Sequence, residues 1–197
     1  ADVGGIGLAE VVAQVHPTML IGTSTQTGAF TEALIRDMAA HTRRPIIMPL
    51  SNPTSKAEAL PADILTWTDG QALVATGSPF APVELDGITY RIAQANNALV
   101  FPGLGLGVTV ARASRITDRM IAAAADAVAG MSDAVRPGAP LLPAMSDLRP
   151  VSAAVAIAVA EAAVAEGLAQ VPLDNPIRQI HQAMWRPDYP RVETKPL

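Results

Sequence analysis

The chain has 197 residues and a net charge of −4, from 14 Lys+Arg against 18 Asp+Glu, with no cysteine; half of it is hydrophobic and only 16% is charged. That composition excludes a disordered chain, a disulfide-stapled secreted module, a Cys-ligated zinc or iron–sulfur site, and a surface dominated by phosphate-seeking cations. With aromatics at 4%, the core has to be built from Ala, Val, Ile, Leu and Met.

Residues 8–15 carry the helix formers Ala9, Glu10 and Gln14 and stop at His16-Pro17, because the residue before a proline is pushed out of the α region. The unbroken apolar run at 18–22 predicts a fully buried strand that discharges into the polar loop 23–28. Residues 30–41 read as an amphipathic helix with Phe30, Leu34 and Met38 on one face and Thr31 as N-cap. A second buried strand is predicted at 46–50, helical turns at 56–60 and 61–67, and a third strand at 73–77. The strand–helix alternation predicts a parallel sheet. Asp86-Gly87 between 83–85 and 88–90 predicts a hairpin.

Further along, a helix is predicted to run to Arg115 behind Pro102 and alternate glycines, which let the backbone turn tightly onto a neighbouring helix or ligand. Thr117-Asp118 caps a helix over 119–129 that Gly130 ends, and Pro137, Pro140 and Pro143 make a stiff connection. The Ala/Val/Ile run at 151–165 falls short of the roughly 20 residues of a membrane span and suits a helix buried against a sheet. A short helix at 177–184 and an extended Pro-rich arm complete the chain.

In an open parallel sheet, ligands bind beyond the carboxyl ends of the strands. Three such ends are small and polar: Gly22-Thr23-Ser24, Leu50-Ser51-Asn52-Pro53 and Thr76-Gly77-Ser78-Pro79. Asn52 and Ser51 bring amide and hydroxyl groups that orient a carboxylate or amide without adding charge. The same residues also close strand-to-helix loops as Asx and ST turns, and it is the alignment of three loops that favours a site. Neither Gly103–Gly107 nor Gly4-Gly5-Ile6-Gly7 completes a dinucleotide fingerprint. His16, His41 and His181 lie in unrelated segments near helix ends, where a surface or capping role is expected, and the acidic residues are scattered without a catalytic pair.

Four segments are similar to the C-terminal part of malic enzymes: residues 20–30 (LIGTSTQTGAF), 44–58 (RPIIMPLSNPTSKAE), 75–83 (ATGSPFAPV) and 94–107 (QANNALVFPGLGLG). The ending Trp185-Arg186-Pro187-Asp188-Tyr189 resembles the large-subunit type, and Ala95 stands where the family usually has glycine. The resemblance implies an α/β fold: a partial Rossmann-like parallel sheet flanked by helices over 1–134, with C-terminal helices and a tail over 135–197. It implies oxidative decarboxylation of malate to pyruvate and CO₂ with reduction of NAD or NADP, the bacterial-looking composition favouring NAD, and a Mg²⁺ or Mn²⁺ that polarises the keto group.

By the same resemblance Asn52 contacts malate beside the nicotinamide, Asn96 or Asn97 holds a malate carboxylate, and Thr23, Ser24, Leu50 and Ser51 line the cofactor together with Asn52. The family's catalytic Tyr and Lys, metal-binding carboxylates, malate-gripping arginine and Gly-rich pyrophosphate loop belong to an upstream part. No catalytic residue or metal ligand is therefore expected here, and the chain alone is expected to be inactive. The expected partners are malate or pyruvate, the upstream part of the same enzyme and further copies in a homo-oligomer, with no nucleic acid and no membrane. The start of the chain shows no signal h-region, and the lack of cysteine fits a reducing cytoplasm, the expected location. The alternative is a non-catalytic nucleotide-binding or assembly module of Rossmann-like fold. The malic enzyme reading requires the turns at 52 and 96–97 to converge beside one pocket on the rim of the sheet.

Overall fold

The computed structural model describes residues 5–189. Helix α1 (Leu8–Val15) leads to strand β1 (Met19–Gly22), then helix α2 (Glu32–His41), strand β2 (Ile46–Pro49), helix α3 (Pro61–Trp67) and strand β3 (Leu73–Thr76). The hairpin β4 (Val83–Leu85) and β5 (Ile88–Tyr90) and the short strand β6 (Ala93–Gln94) follow. The rest is helical: α4 (Phe101–Ala111), α5 (Asp118–Ala129), α6 (Leu148–Ala165) and α7 (Pro176–Ala183).

The sheet is parallel in the order β1-β2-β3-β6, with Met19 opposite Ile46, Ile47 opposite Val74 and Thr76 opposite Gln94. All four carboxyl ends therefore share one rim. Strand β6 escapes sequence reading because two residues carry no periodicity. It exists because β3 needs a partner on its far side, which Ala93 and Gln94 supply. The hairpin forms as predicted, with Asp86 at φ 49° and Gly87 at φ 75°, two left-handed residues that match the twist of the strands.

One apolar cluster places Leu20, Ile47 and Val74 against Val12 of α1, Leu34, Ile35 and Met38 of α2, and Ile64 and Leu65 of α3. Strand β1 departs from the expectation of full burial. It is an edge strand, and although Leu20 is buried, Met19 and Ile21 are 47% and 52% exposed. The apolar run was uniform because both faces are greasy, not because both are covered within this chain.

A second cluster joins α4, α5 and α6 through Leu104, Ala111, Met120, Ala124, Val155 and Val159. Here the long apolar helix is buried against helices rather than against the sheet. Its alanines and valines meet α4 at glycines: a Cβ on Gly103 would lie 2.7 Å from the Ser152 carbonyl, and one on Gly107 2.6 Å from that of Ala156. The predicted tight approach is thus a helix-on-helix contact, with the glycines inside α4, which ends at Ala111 where Arg112 turns left-handed at φ 45°. Together with the 3₁₀ turn at Met145–Asp147 before it, α6 forms a 21-residue run, long and apolar enough to cross a membrane by length and composition; half of its apolar stretch is buried inside the protein, as a core helix would be.

The remaining helices follow their caps. Thr31 accepts from the Leu34 N–H and Thr117 from the Met120 N–H. The helical turn predicted at 56–60 forms instead as a 3₁₀ turn at Thr54–Lys56, because Pro53 starts it two residues earlier. Residues 177–184 are helical as α7, shifted by one residue so that Pro176 takes the first turn, where its missing N–H costs nothing. The extended arm expected beyond residue 189 lies outside the described residues.

Candidate functional site

The polar turns after β1, β2, β3 and β6 sit side by side on the carboxyl rim, tied by side chains. The Ser78 hydroxyl donates to Asn52 Oδ1, the Gln94 amide donates to the Gly77 carbonyl at 3.1 Å, and the Ala95 N–H donates to the Thr76 carbonyl at 2.8 Å. A Cβ on Gly77 would collide with the Leu50 carbonyl, so only glycine lets these two turns close together. The peptide bond from Asn52 to Pro53 is cis. The asparagines predicted from sequence thus belong to one rim, Asn52 beyond β2 and Asn96-Asn97 beyond β6, with the β3 turn between them.

Both amides have committed oxygens. Asn52 Oδ1 accepts from Ser78, and Asn96 Oδ1 accepts from the Ala98 N–H at 2.9 Å as the cap of a 3₁₀ turn at Asn97–Leu99. Among the described residues neither side-chain NH₂ donates a hydrogen bond within the protein; Asn52 Nδ2 lies beside Gly77, 3.0 Å from where a Cβ would sit there. Asn52, Asn96 and Asn97 are all exposed. A cavity of about 660 Å³ opens beside the same rim, lined among others by Pro79, Phe80, Gln94 and Met131; the three asparagines do not line it, so the expected convergence of the two turns holds for the rim and not for this cavity.

On the other half of the rim the organising group is one that sequence reading passed over. Glu58 is fully buried, and its carboxylate accepts from the Ser24 N–H (2.8 Å), the Ser24 hydroxyl (2.9 Å), the Ser51 hydroxyl (2.5 Å) and the Ser51 N–H (3.4 Å). Burial pushes its pKa up. The hydrogen bonds, led by the Ser51 hydroxyl and the Ser24 N–H, outweigh that and hold it below the usual glutamate value of 4.5. Glu58 closes the quoted segment 44–58, but one carboxylate among scattered acids carries no periodic signal. The remaining clue is Gly22, where a Cβ would lie 2.6 Å from Glu58 Cδ and 2.7 Å from Phe30 Cζ.

Of the residues predicted to line a cofactor, Thr23 and Ser24 lie exposed beyond β1, Leu50 is half-buried and Ser51 buried. The Ser24 and Ser51 hydroxyls both donate inward to Glu58 rather than outward. Among the described residues no three His, Asp or Glu side chains gather as a metal site. Two histidines that looked unrelated do meet: the rings of His16 and His41 stack at 3.6 Å, each at a helix end as expected.

Comparison with known proteins identifies the family of the chain. The family described as "Malic enzyme, NAD binding domain" matches residues 1–164. The chain is 56% identical over 188 residues to "NAD-dependent malic enzyme 3" of Bacillus subtilis, covering 95% of this chain and 33% of that protein. It is 50% identical over 184 residues to a "Putative malate oxidoreductase [NAD]" of Mycobacterium tuberculosis, covering 93% and 34%. Among solved structures, the malic enzyme of Pyrococcus horikoshii superposes with a TM-score of 0.66 at 31% identity, covering 84% of this chain and 34% of that one. The malic enzyme of Entamoeba histolytica gives 0.67 at 27% identity, covering 87% and 32%. The chain spans about a third of the length of the curated relatives it matches.

Proposed function

The chain belongs to the malic enzyme NAD-binding domain family, and from that premise we propose that it forms one side of a malate–dinucleotide cleft, the remainder of the same enzyme forming the other. The reaction is oxidative decarboxylation of malate to pyruvate and CO₂. NAD, the cofactor named in the titles of the relatives, takes the hydride from malate C2 when bound.

The observation that carries this reading is the shared rim, on which Asn52 and Asn96 each have the amide oxygen bonded within the protein and an NH₂ that donates to no described residue. A fixed neutral donor holds a carboxylate without adding charge, so Asn52 and one of Asn96 and Asn97 orient malate. Thr23, Ser24, Leu50, Ser51 and Asn52 form the wall along which the dinucleotide lies; the Thr23 hydroxyl and the Asn52 amide suit its ribose and carboxamide, while the Ser24 and Ser51 hydroxyls are turned inward to Glu58. The residues present do not fit a Mg²⁺ or Mn²⁺ site, since no ligand set gathers among those described, so no step is routed through a metal held by this chain. The 197-residue chain alone is accordingly inactive in this reading. The half-exposed Met19 and Ile21 on edge strand β1 suit a sheet that continues into the rest of the enzyme. Exposed Trp185 and Tyr189 beyond α7 suit contacts in a homo-oligomer, and a cysteine-free chain suits the cytoplasm.

The test is steady-state kinetics of malate-dependent NAD reduction by the full-length enzyme carrying this segment. Asn52→Ala and one of Asn96→Ala and Asn97→Ala should each raise the KM for malate about tenfold, the scale of one hydrogen bond to a charged group. Unchanged KM values for malate and NAD in all three variants would overturn the assignment.

A further inference from the structure

A carboxylate that is fully buried, with no cation paired to it among the described residues, is costly unless every lone pair is met by a donor. At Glu58 the donors come from two different loops, Ser24 beyond β1 and Ser51 beyond β2. The 23–28 loop has little else to hold it. Within itself it makes two short-range bonds through Ser24, from the Thr25 hydroxyl to the Ser24 carbonyl (2.7 Å) and from Gln26 N–H to the Ser24 hydroxyl (3.1 Å), and Ala29 N–H closes it onto the Gln26 carbonyl. Its other anchors run to the same neighbourhood: Thr25 N–H donates to the Ser51 hydroxyl at 2.8 Å, Thr27 donates to the Ser55 carbonyl at 2.7 Å, and Phe30 N–H donates to the Glu58 carbonyl at 3.1 Å. Ser51 is a relay, giving its proton to Glu58 while accepting from Thr25.

We propose that Glu58 is the positioning residue of the dinucleotide wall: its buried carboxylate clamps the 23–28 loop onto the 51–57 loop, and Ser24 and Ser51 serve the cofactor through it rather than by touching it. The inference rests on the reading of this rim as the dinucleotide site and names what sets its shape. Three donors converge on Oε1, whereas Oε2 receives only the long contact from the Ser51 N–H. An amide at this position keeps the oxygen that matters; an alanine leaves three donors unmet in the interior.

The experiment uses the full-length enzyme, with KM for NAD and for malate measured separately. Glu58→Ala should raise the KM for NAD about tenfold while the KM for malate stays within about twofold, and Glu58→Gln should restore the NAD value to within about threefold of the parent. A residue with only a structural role would lower the melting temperature and the active fraction without separating the two KM values. If Glu58→Ala does not fold, Ser24→Ala, at an exposed position, carries the same test with a rise of about threefold. A parental KM for NAD in folded Glu58→Ala or Ser24→Ala, while Asn52→Ala still weakens malate, overturns the clamp and leaves the site standing. Loss of effect at Asn52, Asn96 and Asn97 together overturns the site itself.

Discussion

Helix α4 carries three glycines at alternate positions, and packing on α6 predicts opposite signs when each is replaced by alanine. Inside a helix, Gly→Ala gains about 1 kcal/mol because the unfolded chain loses freedom and the helix gains a better former. At Gly105 nothing lies within 4 Å of the added Cβ, so that gain appears in full. At Gly103 the Cβ would come within 2.5 Å of Val155 Cβ and 2.7 Å of the Ser152 carbonyl, and at Gly107 within 2.6 Å of the Ala156 carbonyl. Two of those neighbours are backbone atoms of α6, which move only if the helices separate. Overpacking of that kind costs about 1–3 kcal/mol, so the net effect at 103 and 107 is destabilising. Urea unfolding followed by circular dichroism should rank Gly105→Ala above the parent and both other variants below it. In melting temperature the separation is about 2–4 °C per kcal/mol for a chain of this size. Stability of Gly103→Ala or Gly107→Ala equal to that of Gly105→Ala would refute the close approach of the two helices.

Glu58 predicts an acid dependence with a definite sign. Its folded pKa lies below the ordinary 4.5, so its stabilisation is complete above that value and is lost as pH falls through the folded pKa. The stability gap between the parent and Glu58→Gln should therefore be constant near neutrality and shrink as urea titrations are carried into acid; a gap that widens there would contradict the assignment. Thr117 caps α5 and also donates to Glu166 at 2.5 Å, so Thr117→Ala should cost about 1 kcal/mol in chemical denaturation. Thr31→Ala should cost less, since its cap bond is 3.4 Å long. Gly22→Ala would drive a Cβ into Glu58 and Phe30, and should destabilise by about 1–3 kcal/mol while speeding proteolysis of the 23–28 loop.

Local chemistry explains what could be read directly from the residues. Pro17 ends α1, Thr31 and Thr117 begin helices, and Asp86-Gly87 makes the hairpin, because each acts within a few residues of itself. The parallel sheet and its polar rim follow from alternation, and Asn52, Asn96 and Asn97 were legible through motif resemblance. What depends on distant neighbours was not legible: whether β1 is covered on both faces, what the long helix packs against, and which of three glycines is pressed on it.

Glu58 marks the same boundary most sharply. Its position is plain in the chain, yet its role exists only because residues 24 and 51, beyond two different strands, deliver their donors to one buried oxygen. The elements, their alternation and the polar character of the strand ends are written in the order of residues, since short-range sterics and the periodicity of apolar side chains set them. Which surfaces are buried and which polar groups are spent on one another emerges with folding, because burial and hydrogen-bond partnership are properties of pairs that folding brings together.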